Sequence, residues 1–161
     1  MSLGDTYATP MPVFHKLNKE FKFKFDVCAE HSTAKCFKYW TIDDDSLSKN
    51  WVTDTGAKKG EWLWCNPPYS KINPWVLKAI ESQIMGVGTV MLVMCDPSVK
   101  WFSVALEYAS EVRYITNGRL SFERNGKPVN GNNKGSVIFV FNPYAGQGCL
   151  TRYVDRSSFY E

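Results

Sequence analysis

Glu61-Trp62-Leu63-Trp64-Cys65-Asn66-Pro67-Pro68-Tyr69 decides how the rest of this chain is read. Trp62 to Cys65 is a short apolar run suited to a buried strand, and it stops at two prolines. Neither proline carries a backbone N–H for a ladder, so the backbone leaves the sheet after Asn66. A residue that precedes proline is pushed toward extended geometry, which restricts Asn66 and Pro67 together. The result is a stiff turn at a strand end that presents one amide side chain, backbone carbonyls and one aromatic ring.

That set of groups suits a planar amine. The Asn66 side-chain carbonyl and the Pro67 backbone carbonyl can accept both protons of one exocyclic NH2. Tyr69 can stack on the ring that bears it. Accepting both protons draws the nitrogen toward tetrahedral geometry and frees its lone pair to attack an electrophile. A bare Asn-Pro-Pro reads first as a proline turn with Asn66 as a helix N-cap. Tyr69 and the apolar run before the turn favour the amine cradle instead.

The 161 residues suit one domain with a sizeable core, and 44% apolar with 22% charged residues is ordinary for a soluble globular chain. A net charge of +3 permits a polyanionic partner without requiring one. No apolar run approaches bilayer-spanning length, and no basic-then-apolar leader begins the chain. Cys28, Cys36, Cys65, Cys95 and Cys149 are odd in number and lack CxxC spacing. They read as reduced, buried thiols of an intracellular protein. Cys28, His31 and Cys36 match no standard zinc spacing, so no metal site is expected.

Met1 to Thr6 reads as a flexible start. Val13, Phe14, Leu17 and Phe21 then recur at helical spacing, with Thr9 as N-cap and Pro10 in the first turn. Phe21, Phe23, Phe25 and Val27 alternate with Lys22, Lys24 and Asp26, which predicts a strand with Asp26 on its polar side near the C-terminal end. In open α/β sheets such ends border the ligand crevice. Cys36 to Trp40 is a second short strand candidate. Asp43-Asp44-Asp45 reads as a solvated loop, or as one that sends Asp45 into the same crevice as Asp26. Trp51 is placed to anchor this loop on the core.

After the central strand, the pattern predicts a helix over 70–84 with Trp75, Val76, Ala79, Ile80 and Ile84 as its apolar stripe. Thr89 to Cys95 is a strand apolar on both faces. Trp101, Phe102, Ala105, Leu106 and Ala109 mark the next helix. Strands at Glu111–Thr116 and Val137–Phe141 follow, separated by the polar loop 123–135. The tail from Asn142 has no assignable element. This order suggests an α/β layer fold with shortened early crossovers and two final strands joined without a helix.

Taken together, these blocks resemble the small phage-type DNA N6-adenine methyltransferases of the Dam class. The resemblance covers roughly residues 8 to 142. It rests on TPMPVFHKLNKEF at 9–21, FDVCAE at 25–30, AKCFKYW at 34–40, DDDSL at 43–47, EWLWCNPPYSKINPWV at 61–76, GRLSF at 118–122 and VIFVF at 137–141, besides Trp51 and the Trp101-Phe102 pair. Asn-Pro-Pro-Tyr at a strand end is similar to the signature of amino-group methyltransferases.

The resemblance implies a Rossmann-like S-adenosylmethionine-dependent methyltransferase sheet with abbreviated early helices and a C-terminal β-hairpin. By its length the chain is expected to be one domain over residues 1–161, with no room for a separate target-recognition domain. The implied activity is methyl transfer from S-adenosylmethionine to adenine N6 in double-stranded DNA, with no metal and no membrane partner, in the cytoplasm, which is that of a bacterial host if the protein is phage or prophage encoded. Asn66, Pro67, Pro68 and Tyr69 would hold the flipped adenine. Thr9 and Pro10 would close over the methionine end of the cofactor. Asp26, Cys28 and Ala29 would end the first strand beside it, and Asp45 would approach from the next loop. The chain departs from the usual pattern in one place: Val27-Cys28-Ala29-Glu30-His31 contains no Gly-rich turn.

Lys71, Arg119, Arg124, Lys127 and Lys134 are the candidate DNA contacts, read either as a solvated basic loop or as phosphate contacts. Other amines stay open as targets on the turn alone: cytosine N4, an RNA base or a protein glutamine. So does a nucleic-acid-binding module without catalysis. Cytosine C5 chemistry is disfavoured, because it uses a cysteine nucleophile in a Pro-Cys pair and the chain has none.

Overall fold

The computed structural model describes residues 7–125, 127–128, 134–144 and 148–161. The flexible start expected at Met1–Thr6 lies outside the described residues, as do positions 126, 129–133 and 145–147. Six strands form one sheet in the order β1 (Phe25–Asp26), β2 (Trp62–Cys65), β3 (Gly88–Met94), β7 (Ser136–Phe141), β4 (Glu111–Thr116) and β8 (Leu150–Asp155). β7 alone runs against the others, paired antiparallel to both β3 and β4. The remaining pairs are parallel. β5 (Glu123–Arg124) and β6 (Lys127–Pro128) make a separate small hairpin.

The sheet is buried on both faces, and the strands divide their side chains by alternation. Leu63, Cys65, Met91, Val93, Phe139 and Phe141 face helices α2 (Asn73–Ile84) and α3 (Lys100–Tyr108). Trp64, Val90, Leu92, Ile138 and Val140 face α1 (Met11–Phe21) and the C-terminal turn that carries Phe159. The connection from β1 to β2 contains only two short 3-10 turns, at Ile42–Asp44 and Ser46–Ser48. The early crossover is therefore abbreviated, as its polar sequence implied.

Helix α1 runs against the strand direction. Its last turn lies at the strand starts, where Phe21 packs on Trp62 at 4.6 Å between ring centroids. Arg113 binds Glu20 there through two contacts of 2.8 and 2.6 Å and Glu111 at 2.7 Å. The bidentate pairing gives geometric specificity that a point charge lacks. It also holds the Glu20 carboxyl below its ordinary range, chiefly through the Arg113 hydrogen bond. With that end fixed, the first turn of α1 lies at the opposite edge, where β2 ends.

Several local readings change. The helix reaches Phe21 and stops because Lys22 takes the left-handed conformation (φ 56°) while Asn18 Oδ1 accepts the Phe23 N–H at 2.9 Å. The strand that follows is only Phe25–Asp26, and Asp26 is 2% exposed rather than on a polar face. Pro10 occupies the N-cap position without a side-chain cap, so Thr9 does not cap α1. The segment Cys36–Trp40 contributes one bridge, Tyr39 to Asp26. Helix α2 begins at Asn73, and Ile84 is 79% exposed instead of joining the stripe. Of the five cysteines only Cys65 is fully buried, and all five are free thiols. The tail supplies β8, an edge strand whose side chains are mostly exposed. Tyr153 stacks on Tyr114 of β4 at 5.8 Å.

The register pairs Trp62 with Gly88 across β2 and β3. A Cβ at Gly88 would overlap the six-membered ring of the Trp62 indole. Gly88→Ala is therefore expected to destabilise the fold by about 1–3 kcal/mol, the usual cost of overpacking. Urea denaturation would measure this, and the loss should shrink in a Trp62→Leu background.

Candidate active site

β2 ends at Cys65, and the prolines carry the chain out of the sheet. Continuing the strand's alternation, the Asn66 side chain turns to the face that also holds Trp64. There the N-terminal segment meets it: Asn66 Nδ2 donates to the Tyr7 carbonyl at 2.9 Å and to Thr9 Oγ1 at 3.1 Å. Asn66 Oδ1 and the Pro67 carbonyl accept no hydrogen bond among the described residues. Helix α2 has Ile72, not Asn66, at its N-cap, so the alternative of Asn66 as a helix cap is set aside. Pro67 and Pro68 are buried, while Asn66 and Tyr69 are half-buried.

The Tyr69 ring meets Phe122 edge-on at 5.9 Å. Its hydroxyl is buried with no hydrogen-bond partner among the described residues, and burial pushes the phenol pKa up. Phe122 also touches Tyr7, at 6.4 Å between centroids. Ala8 and Glu123 exchange backbone hydrogen bonds of 2.8 and 3.1 Å, and Arg124 lies over the Tyr7 ring at 4.8 Å. The first residues described, the proline turn and the β5–β6 hairpin therefore form one assembly.

On the opposite side of β2 lies a cavity of about 260 Å³. Its apolar wall comes from Val27, Leu47 and Trp75, and its rim from Thr41, Asp45 and Lys71. Pro68 and Ser70 of the turn close it toward Asn66. Asp45 sits between the two 3-10 turns in the left-handed conformation (φ 51°), which is uncommon for a residue with a side chain. Ser46, a residue of the cavity lining, is 4% exposed, and its buried Oγ has no hydrogen-bond partner among the described residues. The backbone of Ser46 is fixed from behind by Trp51, whose Nε1 donates to the Ser46 carbonyl at 3.0 Å.

Cys28 and Ala29 line the cavity as well, whereas Asp26, Thr9 and Pro10 do not. Asp26 stands behind the wall. Its two carboxylate oxygens accept the backbone N–H groups of Cys28 at 3.1 Å and Lys35 at 3.0 Å. It shapes the turn after β1, a position where a Gly-rich loop is missing. Burial raises the Asp26 carboxyl to about 7, against the pull of the Lys35 and Cys28 N–H groups. Burial likewise raises the Cys28 thiol, and it brings the Cys36 thiol to about 12. His31 Nδ1 shares a hydrogen bond with the Tyr39 hydroxyl at 2.7 Å. Among the described residues no three His, Cys, Asp or Glu side chains are grouped to hold a metal ion.

The basic residues are scattered. Lys71 lies at the cavity rim, Lys127 is exposed on β6, and Lys134 pairs with Asp96 at 2.7 Å. The Arg119 carbonyl accepts from Arg156 Nε at 2.8 Å. Arg124 Nε and Nη2 are buried without a hydrogen-bond partner among the described residues. Ser46, Trp75 and Tyr7 were not singled out as site residues in the sequence. Ser46 carried one usable signal, its position directly after Asp45.

An open, mostly parallel sheet with helices on both faces and a crevice at the strand ends defines a Rossmann-like methyltransferase fold. The chain belongs to the family described as DNA N-6-adenine-methyltransferase (Dam), whose model matches residues 1–161. It is 37% identical over 151 residues to the DNA N-6-adenine-methyltransferase of Haemophilus phage HP1, covering 91% of this chain and 83% of the relative. It is 31% identical over 175 residues to the protein of the same name from Escherichia phage T1, covering 98% of this chain and 71% of the relative. A putative methyltransferase, YfdM, of Escherichia coli is 34% identical over 74 residues, covering 45% of this chain and 76% of the relative.

The folded chain binds the Asp26 proton more tightly than the unfolded chain, where the ordinary value is 3.8. This contribution to stability is full below about pH 4 and is lost as pH rises through about 7. Asp26→Asn removes the titration and, with one acceptor oxygen, leaves one N–H unpaired at a cost of about 1–3 kcal/mol. Urea titrations should find the stability of the wild type relative to Asp26→Asn falling between about pH 4 and about pH 8. A difference that stays flat would contradict this reading.

Proposed function

We propose that this chain transfers a methyl group from S-adenosylmethionine to adenine N6 in double-stranded DNA, with the target base flipped onto Asn66-Pro67-Pro68-Tyr69. The observation that carries the reading is the state of the turn. The protein satisfies the Asn66 amide nitrogen, while Oδ1 and the Pro67 carbonyl accept no hydrogen bond among the described residues, and Pro68 of the same turn lines the cavity. A flipped adenine presents an exocyclic NH2 whose two protons match these two acceptors. In this reading the chain acts in the cytoplasm of a bacterial host, with residues 1–161 working as one methyltransferase domain.

The cavity fits the cofactor in kind. Val27, Leu47 and Trp75 offer an apolar wall to a purine, the Asp45 carboxylate can accept hydrogen bonds from ribose hydroxyls, and the orphaned Ser46 hydroxyl needs a polar partner. Lys71 at the rim can pair with the carboxylate of the methionine end. When bound, S-adenosylmethionine supplies a methyl carbon activated by its sulfonium, so the protein need provide neither a covalent nucleophile nor a metal. The chain's own work is to hold the amine. Accepting both N6 protons concentrates the nitrogen lone pair on the cavity side. Such positioning can contribute roughly 7–11 kcal/mol in favourable cases. Extruding the base costs a few kcal/mol. Stacking on Tyr69 returns about 1–3 kcal/mol of that.

The DNA strand lies along the β5–β6 hairpin in this reading. Arg124, which lies over the Tyr7 ring with Nε and Nη2 buried, turns outward in this reading to take a phosphate next to the flipped nucleotide. Lys127 and Arg119 face the strand further out.

Incubating the protein with duplex DNA and radiolabelled S-adenosylmethionine, then analysing the bases, should give N6-methyladenine. Label in cytosine, in RNA or in protein would overturn the substrate. Asn66→Ala should lower turnover on the order of a hundredfold or more while leaving cofactor affinity nearly intact, as loss of a group that acts at the reacting centre does. Arg124→Ala should weaken DNA binding and reduce the slope of log affinity against log salt by about one, the mark of one lost phosphate contact.

A further inference from the structure

The Asn66 amide is gripped by its nitrogen. A carboxamide has a donor end and an acceptor end, and the two are hard to tell apart by shape alone. Here the assignment is forced by a neighbour. The Tyr7 carbonyl can only accept, so it must face Nδ2. Thr9 Oγ1 takes the second Nδ2 proton at 3.1 Å. With both protons used, a flip of the amide would set Oδ1 against the Tyr7 carbonyl oxygen.

Thr9 is itself well held. It is 1% exposed, and its hydroxyl bonds Asn66 instead of capping α1. Ala8 before it is bonded in both directions to Glu123, and Pro10 after it has a restricted φ. The ordering of this contact is therefore complete before any ligand arrives. Thr9 also meets Asn66 on the face that holds Trp64 and is not among the residues lining the cavity.

Resting on the function proposed above, we infer that Thr9 is a positioning residue, which with the Tyr7 carbonyl locks the Asn66 amide so that Oδ1 faces the substrate amine, and that position 66 of this chain requires an amide and not a carboxylate. If position 66 had only to accept a hydrogen bond, aspartate would serve at least as well, because an ionised acceptor is the stronger one. In this site, however, an aspartate would bring a carboxylate oxygen to the place of Nδ2, at 2.9 Å from the Tyr7 carbonyl. Two acceptors at that distance repel, and the side chain must rotate out of line with the amine.

Two readouts test this. In kinetics, Thr9→Val keeps the shape and removes Oγ1. It should lower kcat roughly tenfold, the scale of one lost hydrogen bond in a polar site, with KM for S-adenosylmethionine little changed. Thr9→Ser should restore the rate, and Asn66→Asp should be slower than wild type by tenfold or more on the same grounds. In the cofactor-free protein, the Asn66 side-chain NH2 pair in a ¹H–¹⁵N spectrum should exchange slowly with solvent, and Thr9→Val should speed one of its protons. Wild-type turnover in Thr9→Val or in Asn66→Asp would overturn the inference, as would an Asn66 NH2 signal indifferent to Thr9→Val. A loss confined to KM for S-adenosylmethionine would also overturn it, assigning Thr9 to the cofactor. Should Thr9→Val fail to fold, Asn66→Asp with Thr9→Ser decides. Absence of methyl transfer by the wild type with the NH2 response intact would sink the proposed substrate while supporting the lock.

Discussion

Everything in this site depends on a chain that is forced out of its sheet at one point. Two consecutive prolines after Cys65 end the ladder, and they do so where the strand is already buried on both faces. A half-buried polar side chain at that point has limited access to bulk water, so the protein supplies part of its hydrogen bonding. Asn66 divides that requirement: its nitrogen is satisfied by Tyr7 and Thr9, and its oxygen is left over.

The two faces of the sheet share the labour on either side of that seam. The α1 face orients the amide. Its rigidity starts at the far end of the helix, where Arg113 and the Phe21–Trp62 contact fix the last turn and thereby the position of the first. The α2 face holds the cavity, which the Asp26 carboxylate supports from behind by tying two backbone N–H groups and Trp51 supports by anchoring Ser46. Pro68 and Ser70, in the wall of that cavity, belong to the same turn as Asn66. A shift of either face is therefore felt at the strand end.

Much of this was legible from residue patterns, for physical reasons that can be named. The Trp62–Cys65 strand and the Glu111–Thr116 strand lie where the apolar pattern put them. Long apolar runs bounded by prolines, glycines or polar turns leave few alternatives. The Asn-Pro-Pro-Tyr turn was legible because proline acts locally. Thr9 was misread because a threonine ahead of proline and an apolar helix is a common cap, and only the tertiary fold offers it Asn66. Asp26 was misread because strand alternation cannot reveal that the next segment, Lys35 to Tyr39, covers its outer side. The tail strand β8 was invisible since an edge strand with exposed side chains carries no burial pattern. Ser46 was hidden for a related reason, as a serine in an acidic loop gives no sign of being enclosed.

The most direct measurement is a crystal structure of the protein with sinefungin, a cofactor analogue that cannot donate a methyl, and a DNA duplex that it methylates. Adenine is expected outside the stack, its N6 within about 3.2 Å of both Asn66 Oδ1 and the Pro67 carbonyl. The analogue is expected in the cavity beside Ser46 and Trp75, with the Asn66 nitrogen still on Tyr7 and Thr9. An adenine N6 directed away from Asn66, or an amide turned so that its nitrogen meets the base, would contradict this arrangement.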